Sequence, residues 1–91
     1  MQFEWDAAKT KSNVAKHGVT FDEAVTAFAD PLAITYRDAE HSVDELRYIT
    51  VAASNRQRLL VIAHVDRGPD RIRIISARLA TRKETQDHEE T

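Results

Sequence analysis

At 91 residues, 42% hydrophobic and 31% charged, the chain suffices for one domain (1–91) with one modest core. The absence of cysteine excludes disulfides and thiolate metal sites and is compatible with a reducing cytoplasm. A net charge of −2 conceals an uneven distribution: nine acids against Lys9, Lys11, Lys16 and Arg37 up to Glu45, then Arg56, Arg58, Arg67, Arg71, Arg73, Arg78, Arg82 and Lys83 against Asp66 and Asp70. An acidic half beside an arginine-rich half points to a local anion-binding surface and not to a generally sticky protein.

Met1 to Asp6 has neither a basic region nor an apolar run, so no signal peptide is expected. Gln2-Phe3-Glu4-Trp5 alternates like a short strand, with Asp6 placed to cap a following helix. Ala7 to Lys16 is predicted helical, with a thin apolar face of Ala7, Val14 and Ala15 and a stop at Gly18. Thr20 and Glu23 have capping-box spacing. They open a helix to about Ala29 whose Phe21, Ala24, Val25 and Phe28 face a core, and Asp30-Pro31 ends it. Leu32 to Tyr36 is predicted as a strand, and Arg37 to Glu45 as a polar, acidic loop.

Arg47 to Ala53 and Arg58 to Val65 are predicted strands separated by a turn at Ser54 to Gln57. The second is the most apolar and is expected at the centre of a sheet. Its Leu59 to Ala63 run is too short to span a bilayer. Asp66 to Asp70 is a turn, Arg71 onward is the last strand, and Thr81 with Glu84 forms another capping box ahead of a short polar helix. The order β-α-α-β-β-β-β-α, with three hairpin-like connections, predicts an α+β two-layer sandwich. Its sheet is an antiparallel meander with the N-terminal helices on one face and the last helix partly covering the other.

The last strand carries the clearest chemical signal. Three isoleucines in five residues favour a packed strand, yet Arg71, Arg73, Arg78 and Arg82 accompany them. Strict alternation would set Ile72, Ile74, Ser76 and Arg78 on one side and Arg71, Arg73, Ile75 and Ala77 on the other. Arginine is seldom buried alone and suits carboxylate or phosphate. The plainer reading is solvated strand ends and salt bridges. Glu45 and Arg47 bracket a strand start and read as an ion pair. Trp5 reads as core, and His64 as a satisfied imidazole sharing a side with Leu60 and Ile62.

No phosphate loop, G-x-S-x-G or H-E-x-x-H occurs, and the scattered His17, His41, His64 and His88 lack ligand spacing, so no metal and no cofactor are expected. RNA phosphodiester cleavage needs only a base for the 2′-hydroxyl proton and cations for the phosphorane charge. His17, beside Lys16, can be such a base.

Several stretches together carry a resemblance. Phe3-Glu4-Trp5-Asp6, Lys16-His17-Gly18-Val19-Thr20-Phe21 with Ala24, and Phe28-Ala29-Asp30-Pro31-Leu32 form the first part. Glu45-Leu46-Arg47, Arg58-Leu59-Leu60-Val61 with His64, and Arg71 to Arg78 followed by Ala80-Thr81-Arg82-Lys83-Glu84 form the second. In order and spacing the chain resembles the BrnT family. The resemblance implies a type II toxin with a RelE-like fold, a ribonuclease that arrests translation. It also implies a BrnA-type antitoxin whose DNA-binding domain lets the complex repress its own promoter. Family motif positions fall on His17, Glu45, Arg47, His64, Arg73, Ser76, Arg78, Arg82 and Glu84. His88 stands where the family pattern often has a Tyr.

The resulting expectation is a metal-independent endoribonuclease, cytoplasmic and not membrane-bound, in a heterotetramer or larger assembly with its antitoxin. His17, Glu45, Arg73, Arg78 and Arg82 are the candidate catalytic residues; Lys16, Arg47, Arg71, Lys83 and His88 are the candidate RNA contacts. Arg78 and Arg82 are expected at one phosphate-sized site, with Arg78 alternatively anchored on Glu84 or Glu45. The competing expectation is a non-catalytic arginine-rich module for an acidic protein or nucleic acid.

Overall fold

A computed structural model describes residues 1–42 and 45–90; Val43 and Asp44, in the predicted polar loop, and Thr91 lie outside the described residues. The elements are β1 (Gln2–Glu4), α1 (Ala7–His17), α2 (Phe21–Ala27), β2 (Ile34–Arg37), a 3-10 turn at Ala39–His41, β3 (Arg47–Ala53), β4 (Leu59–Asp66), β5 (Arg71–Leu79) and α3 (Arg82–Glu89). The strand order is β1-β5-β4-β3-β2, with β4 central as its apolar sequence suggested. Strands β2 to β5 form the antiparallel meander. The short β1 is an exception to it, because it pairs in parallel with the start of β5.

Local chemistry sets the helix ends. The Asp6 carboxylate accepts from the Ala8 N–H at 2.9 Å. Gly18 closes α1 at φ 67°, a conformation that costs glycine little, and its N–H donates to the Val14 carbonyl. Thr20 accepts from the Glu23 N–H at 3.0 Å, but the predicted capping box is only half made. Glu23 does not reach back to its own helix start. Its carboxylate, in a residue only 6% exposed, takes Ser54 Oγ at 2.7 Å and both Nε and Nη2 of Arg58. The Arg58 hydrogen bond holds its pKa below the usual carboxylate range, with Ser54 adding to the effect against the cost of burial. The tertiary pairing wins because a buried carboxylate needs charge-assisted partners more than a helix end needs one further acceptor.

The core lies between one sheet face and α2. Val19, Phe21, Ala24 and Ala27 pack with Ala52, Leu60, Ile62, Ile74 and Ala77, and Phe3, Trp5, Val25 and Phe28 close the margin. Trp5 meets Phe21 and Phe3 meets Phe28 at ring-centroid distances of 5.8 and 5.0 Å. His64 lies on this face, stacked on Tyr48 and edge-on to Phe28. Its Nε2 and the hydroxyls of Thr50 and Thr35 form a chain with 2.7 Å links. Nδ1 has no partner among the described residues, and burial pushes the imidazole pKa below its usual value.

Helix α1 is attached differently from expectation. Ala7, Val14 and Ala15 are exposed, Val14 at 41%, and the helix's buried residue is Asn13. Its amide N donates to the Ala77 and Val19 carbonyls at 2.8 and 2.9 Å, and its Oδ1 accepts from the Ala77 N–H at 3.2 Å. Beyond the three residues covered by β1, the edge of β5 is thus closed at Ala77 by a side-chain amide that imitates a neighbouring strand. Strand edges need such cover.

Strand β5 also departs from strict alternation. Ala63 pairs with Ser76 while His64 pairs with Ile74, so Ile75 is an inserted bulge residue. The phase of the strand shifts there. Ile72, Ile74 and Ala77 face the core, and Arg73, Ser76 and Arg78 share the opposite face, where strict alternation had separated Arg73 from Ser76 and Arg78. Helix α3 crosses that second face with no buried residue of its own. Arg78 tethers it through a fork to Glu84, Nη1 to Oε1 at 2.7 Å and Nη2 to Oε2 at 2.9 Å. Glu84 also completes the capping box with Thr81.

Two expected outcomes follow from these contacts. Ile74→Ala should lower stability by about 2–5 kcal/mol, and Asn13→Ala by about 1–3 kcal/mol, the cost of leaving buried backbone groups unpaired. Arg56→Ala, at a 67% exposed side chain, should leave urea melts nearly unchanged; equal loss in all three would contradict these assignments. The pH dependence follows from two depressed groups. His64 binds a proton more readily when unfolded, so stability should fall as pH drops below the ordinary imidazole value of 6.5. Glu84, lowered by Arg78 from 4.5 to about 2, should contribute fully above pH 4.5 and be lost as pH falls toward 2. Urea midpoints recorded from pH 8 to 3 would show both windows, and Glu84→Gln should remove only part of the lower one.

Candidate functional site

The face opposite the core is an ordered grid. In one row Arg47 of β3 and Arg73 of β5 flank Val65 of β4, with Glu4 of β1 beside Arg73. The next row holds Tyr36, Ile49, Ala63 and Ser76, and the third holds Ile34, Val51, Val61 and Arg78. At roughly 4.8 Å per strand, Arg47 and Arg73 stand about 10 Å apart. The hydrogen bonds that Arg78 donates to Glu84 reinforce its charged form, against the cost of burial.

The arginine-rich half is largely matched by carboxylates. Glu4 meets Arg73 at 3.0 Å and Arg71 at 3.5 Å. Glu23 meets Arg58 and, at 3.8 Å, Arg56. Glu45 meets Arg67 at 3.7 Å, not the Arg47 predicted as its partner, and Glu84 holds Arg78. Of the eight bases between Arg56 and Lys83, only Arg82 and Lys83 have no ion pair among the described residues. The same holds for Arg47 and the lysines of α1.

Two of those lysines, Lys9 and Lys16, line a second feature. A groove of about 200 Å³ runs between α1 and β5, bounded by Lys9, Ser12, Asn13, Lys16, His17, Ile75 and Ser76. Asn13 holds the helix against Ala77. Positions 9, 12 and 16 follow at helical spacing along the rim, and His17 is half-buried at its end. The bulge places Ser76 at the junction of groove and sheet face. Ser76 was a resemblance position, whereas Lys9, Ser12 and Asn13 were missed. Their recurrence at 3–4 residue intervals was visible, but only a search for a polar inner stripe would have picked it out.

A third concavity, of about 240 Å³, lies between α3 and the sheet, lined by Ile34, Tyr36, Val51, Glu84, Asp87 and His88. His88 reaches it from the last turns of α3. Farther out, Asp38 and His41 form an exposed pair at 2.9 Å. Among the described residues no three His, Asp or Glu side chains gather as a metal-ligand set, and no helix is long and apolar enough to cross a membrane.

The ten candidate site residues are therefore divided. Arg73 lies on the sheet face next to the Ser76 row, and His17 and Lys16 lie in the groove bordering it. Arg47 shares Arg73's row, and Arg71 shares its Glu4 partner. Arg78 is one row beyond Ser76 and engaged by Glu84. Glu45 is held at the β4–β5 turn by Arg67, while Arg82 and Lys83 start α3 past the far end of β5. A nine-residue strand places those two ends roughly 25 Å apart, so Glu45 and Arg82 do not converge.

The family described as ribonuclease toxin, BrnT, of type II toxin–antitoxin system has a model that matches residues 5–84. No curated protein matches the chain. Among solved structures, that of the Brucella abortus ribonuclease toxin BrnT is similar over 90% of this chain and 99% of that one, with 21% identity and a TM-score of 0.69. At that identity the likeness is one of fold: a mixed α+β domain with a five-stranded sheet and three helices. The family match, which runs from Trp5 to Glu84 and takes in the groove, the sheet face and the Arg78–Glu84 fork, establishes that the chain belongs to the BrnT family of ribonuclease toxins of type II toxin–antitoxin systems.

Proposed function

We propose that this chain is a metal-independent endoribonuclease that arrests translation and is neutralised in the cytoplasm by a BrnA-type antitoxin. The heterotetrameric or larger complex would repress its own promoter through the antitoxin, and the fold would be RelE-like. Family membership implies an antitoxin partner. The observation that carries the catalytic reading is the convergence of His17, Lys16 and Ser76 at the α1–β5 junction, one row from Arg73.

The chemistry uses what those groups offer. His17 takes the proton from a ribose 2′-hydroxyl as its oxygen attacks the adjacent phosphorus in line. The 5′-oxygen of the next nucleotide leaves with a proton taken from water, giving a 2′,3′-cyclic phosphate and a 5′-hydroxyl, and the His17 imidazolium returns its proton to solvent. Lys16 holds the charge that develops on the phosphorane oxygens, joined by Arg73 as it exchanges Glu4 for a phosphate oxygen. Arg71 and Arg47 extend the cationic row. Arg82, Lys83 and His88 offer contacts to RNA beyond the reacting phosphate, and Glu45 keeps its place as an alternative base. Arg78 is joined to Glu84, so it acts on substrate only by exchanging a carboxylate for a phosphate of similar fork geometry. The matching of Arg56, Arg58, Arg67, Arg71, Arg73 and Arg78 by carboxylates argues against a plain arginine-rich binding surface.

Purified protein should cut RNA in the presence of EDTA, with new 5′ ends mappable by primer extension. His17→Gln should cut about 10²–10⁴-fold more slowly while retaining its circular dichroism spectrum. Absence of cleavage by the unaltered chain, or cleavage that requires added divalent metal, would overturn the reading. Arg78 is tested by a pair of variants. If Arg78 acts on the phosphate, Arg78→Ala should abolish growth arrest and Glu84→Gln should preserve it. If Arg78 serves only to hold α3, both should impair the toxin together.

A further inference from the structure

The charge pattern along the sequence draws attention to the second half of the chain, yet folding matches most of those arginines with carboxylates. The unmatched cations that border a concavity are on α1. The groove there has Lys9, Lys16 and His17 with the hydroxyls of Ser12 and Ser76, and no acid among its lining residues. Ile75 is the one apolar residue in its lining. Lys9 and Lys16 are exposed, while the helix beneath is fixed to β5 by the two hydrogen bonds between Asn13 and Ala77.

Position matters as much as charge. Lys9 and Lys16 are seven residues apart, about 10.5 Å along a helix. That spacing lets the two ammonium groups engage different phosphates of one extended strand. A basic groove that tracks the backbone is the usual solution for single-stranded nucleic acid. We propose that the α1–β5 groove is a backbone subsite: its Lys9–Ser12 end binds a phosphate flanking the scissile one, and the RNA strand runs along α1 away from His17. This rests on the ribonuclease reading and adds Lys9 and Ser12 to it. Lys9 lies away from the reacting atoms, so it contributes binding and positioning and not chemistry.

The test uses the full chain and a single-stranded oligonucleotide with 2′-O-methyl groups throughout, which cannot be cleaved. Binding is followed by fluorescence anisotropy across a range of salt concentrations, alongside cleavage kinetics on unmodified RNA. Lys9→Gln should weaken binding several-fold, reduce the slope of log K against log salt by about 0.7, and raise KM with kcat nearly unchanged. Lys11→Gln makes the same change in net charge on α1 outside the groove and should leave the slope as it was. Both lysines are exposed, so neither substitution threatens folding. Equal effects of Lys9→Gln and Lys11→Gln would overturn the subsite. So would RNA binding that Lys9→Gln leaves intact while it weakens capture by an antitoxin, because the groove would then be a protein interface. In either case continued cleavage by the unaltered chain would leave the ribonuclease reading standing. A chain that neither binds nor cleaves RNA would overturn both.

Discussion

One inserted residue in β5 decides which side of the sheet can do chemistry. With Ile75 bulged, Ala63 opposes Ser76 and His64 opposes Ile74. The strand can then bury Ile74 and Ala77 in one core and still present Arg73, Ser76 and Arg78 together on the other face. Without the bulge, the residues after Ile74 would exchange faces. Arg78 would turn toward Leu60 and Ile62, where an unpaired guanidinium carries a heavy desolvation cost. Ala77 would leave the core, and Asn13 would lose the backbone groups to which it docks. The bulge therefore couples three features: a dry core, a cationic face and the attachment of α1.

Electrostatics then shapes what that face exposes. Glu4, Glu23, Glu45 and Glu84 come from four separate parts of the chain, and each meets arginines of the basic segment. These pairs are not equivalent. Glu23 is buried and multiply hydrogen-bonded, so losing Arg58 would strand a charge inside the protein. Glu45 and Arg67 are both well exposed at 3.7 Å, and such a pair contributes little to stability. Glu84 and Arg78 lie between these extremes. Their fork joins a helix with no buried residue to a sheet, so this ion pair helps set how α3 lies beside Ile34, Tyr36 and Val51.

The edge of β5 provides the remaining constraint. Strand β1 covers only its first residues, and a helix cannot continue a strand ladder with its own backbone. Asn13 meets the need because its amide presents the same donor and acceptor as a peptide group. An apolar residue there could pack but not pair. The consequence for function is that the Lys9, Ser12 and Lys16 side of α1 is held against β5 by directional bonds, which makes a precise groove out of a helix whose apolar residues are mostly exposed.

The sequence by itself determined the element order, most element bounds, the caps at Asp6, Gly18 and Thr81, and the placement of Phe21, Ala24, Leu60 and Ile62 in the core. These follow from local rules: side-chain period, cap chemistry and turn residues act within a few positions. The BrnT likeness was legible for a related reason, since its motifs are short stretches in fixed order. Only the tertiary structure decided the parallel addition of β1, the phase shift at Ile75, the inward turn of Glu23 and the role of Asn13. Each depends on a partner beyond the local window, from about a dozen residues away for the bulge to about seventy for β1, and no local pattern names that partner. The same limit applied to the site. Counting charges along the chain placed the anion surface among the arginines, because a one-dimensional count cannot see that Glu4 will lie beside Arg73 or Glu84 beside Arg78. What remains cationic after such pairing is a property of the fold, and here it includes a groove on α1 lined by lysines that the charge asymmetry had passed over.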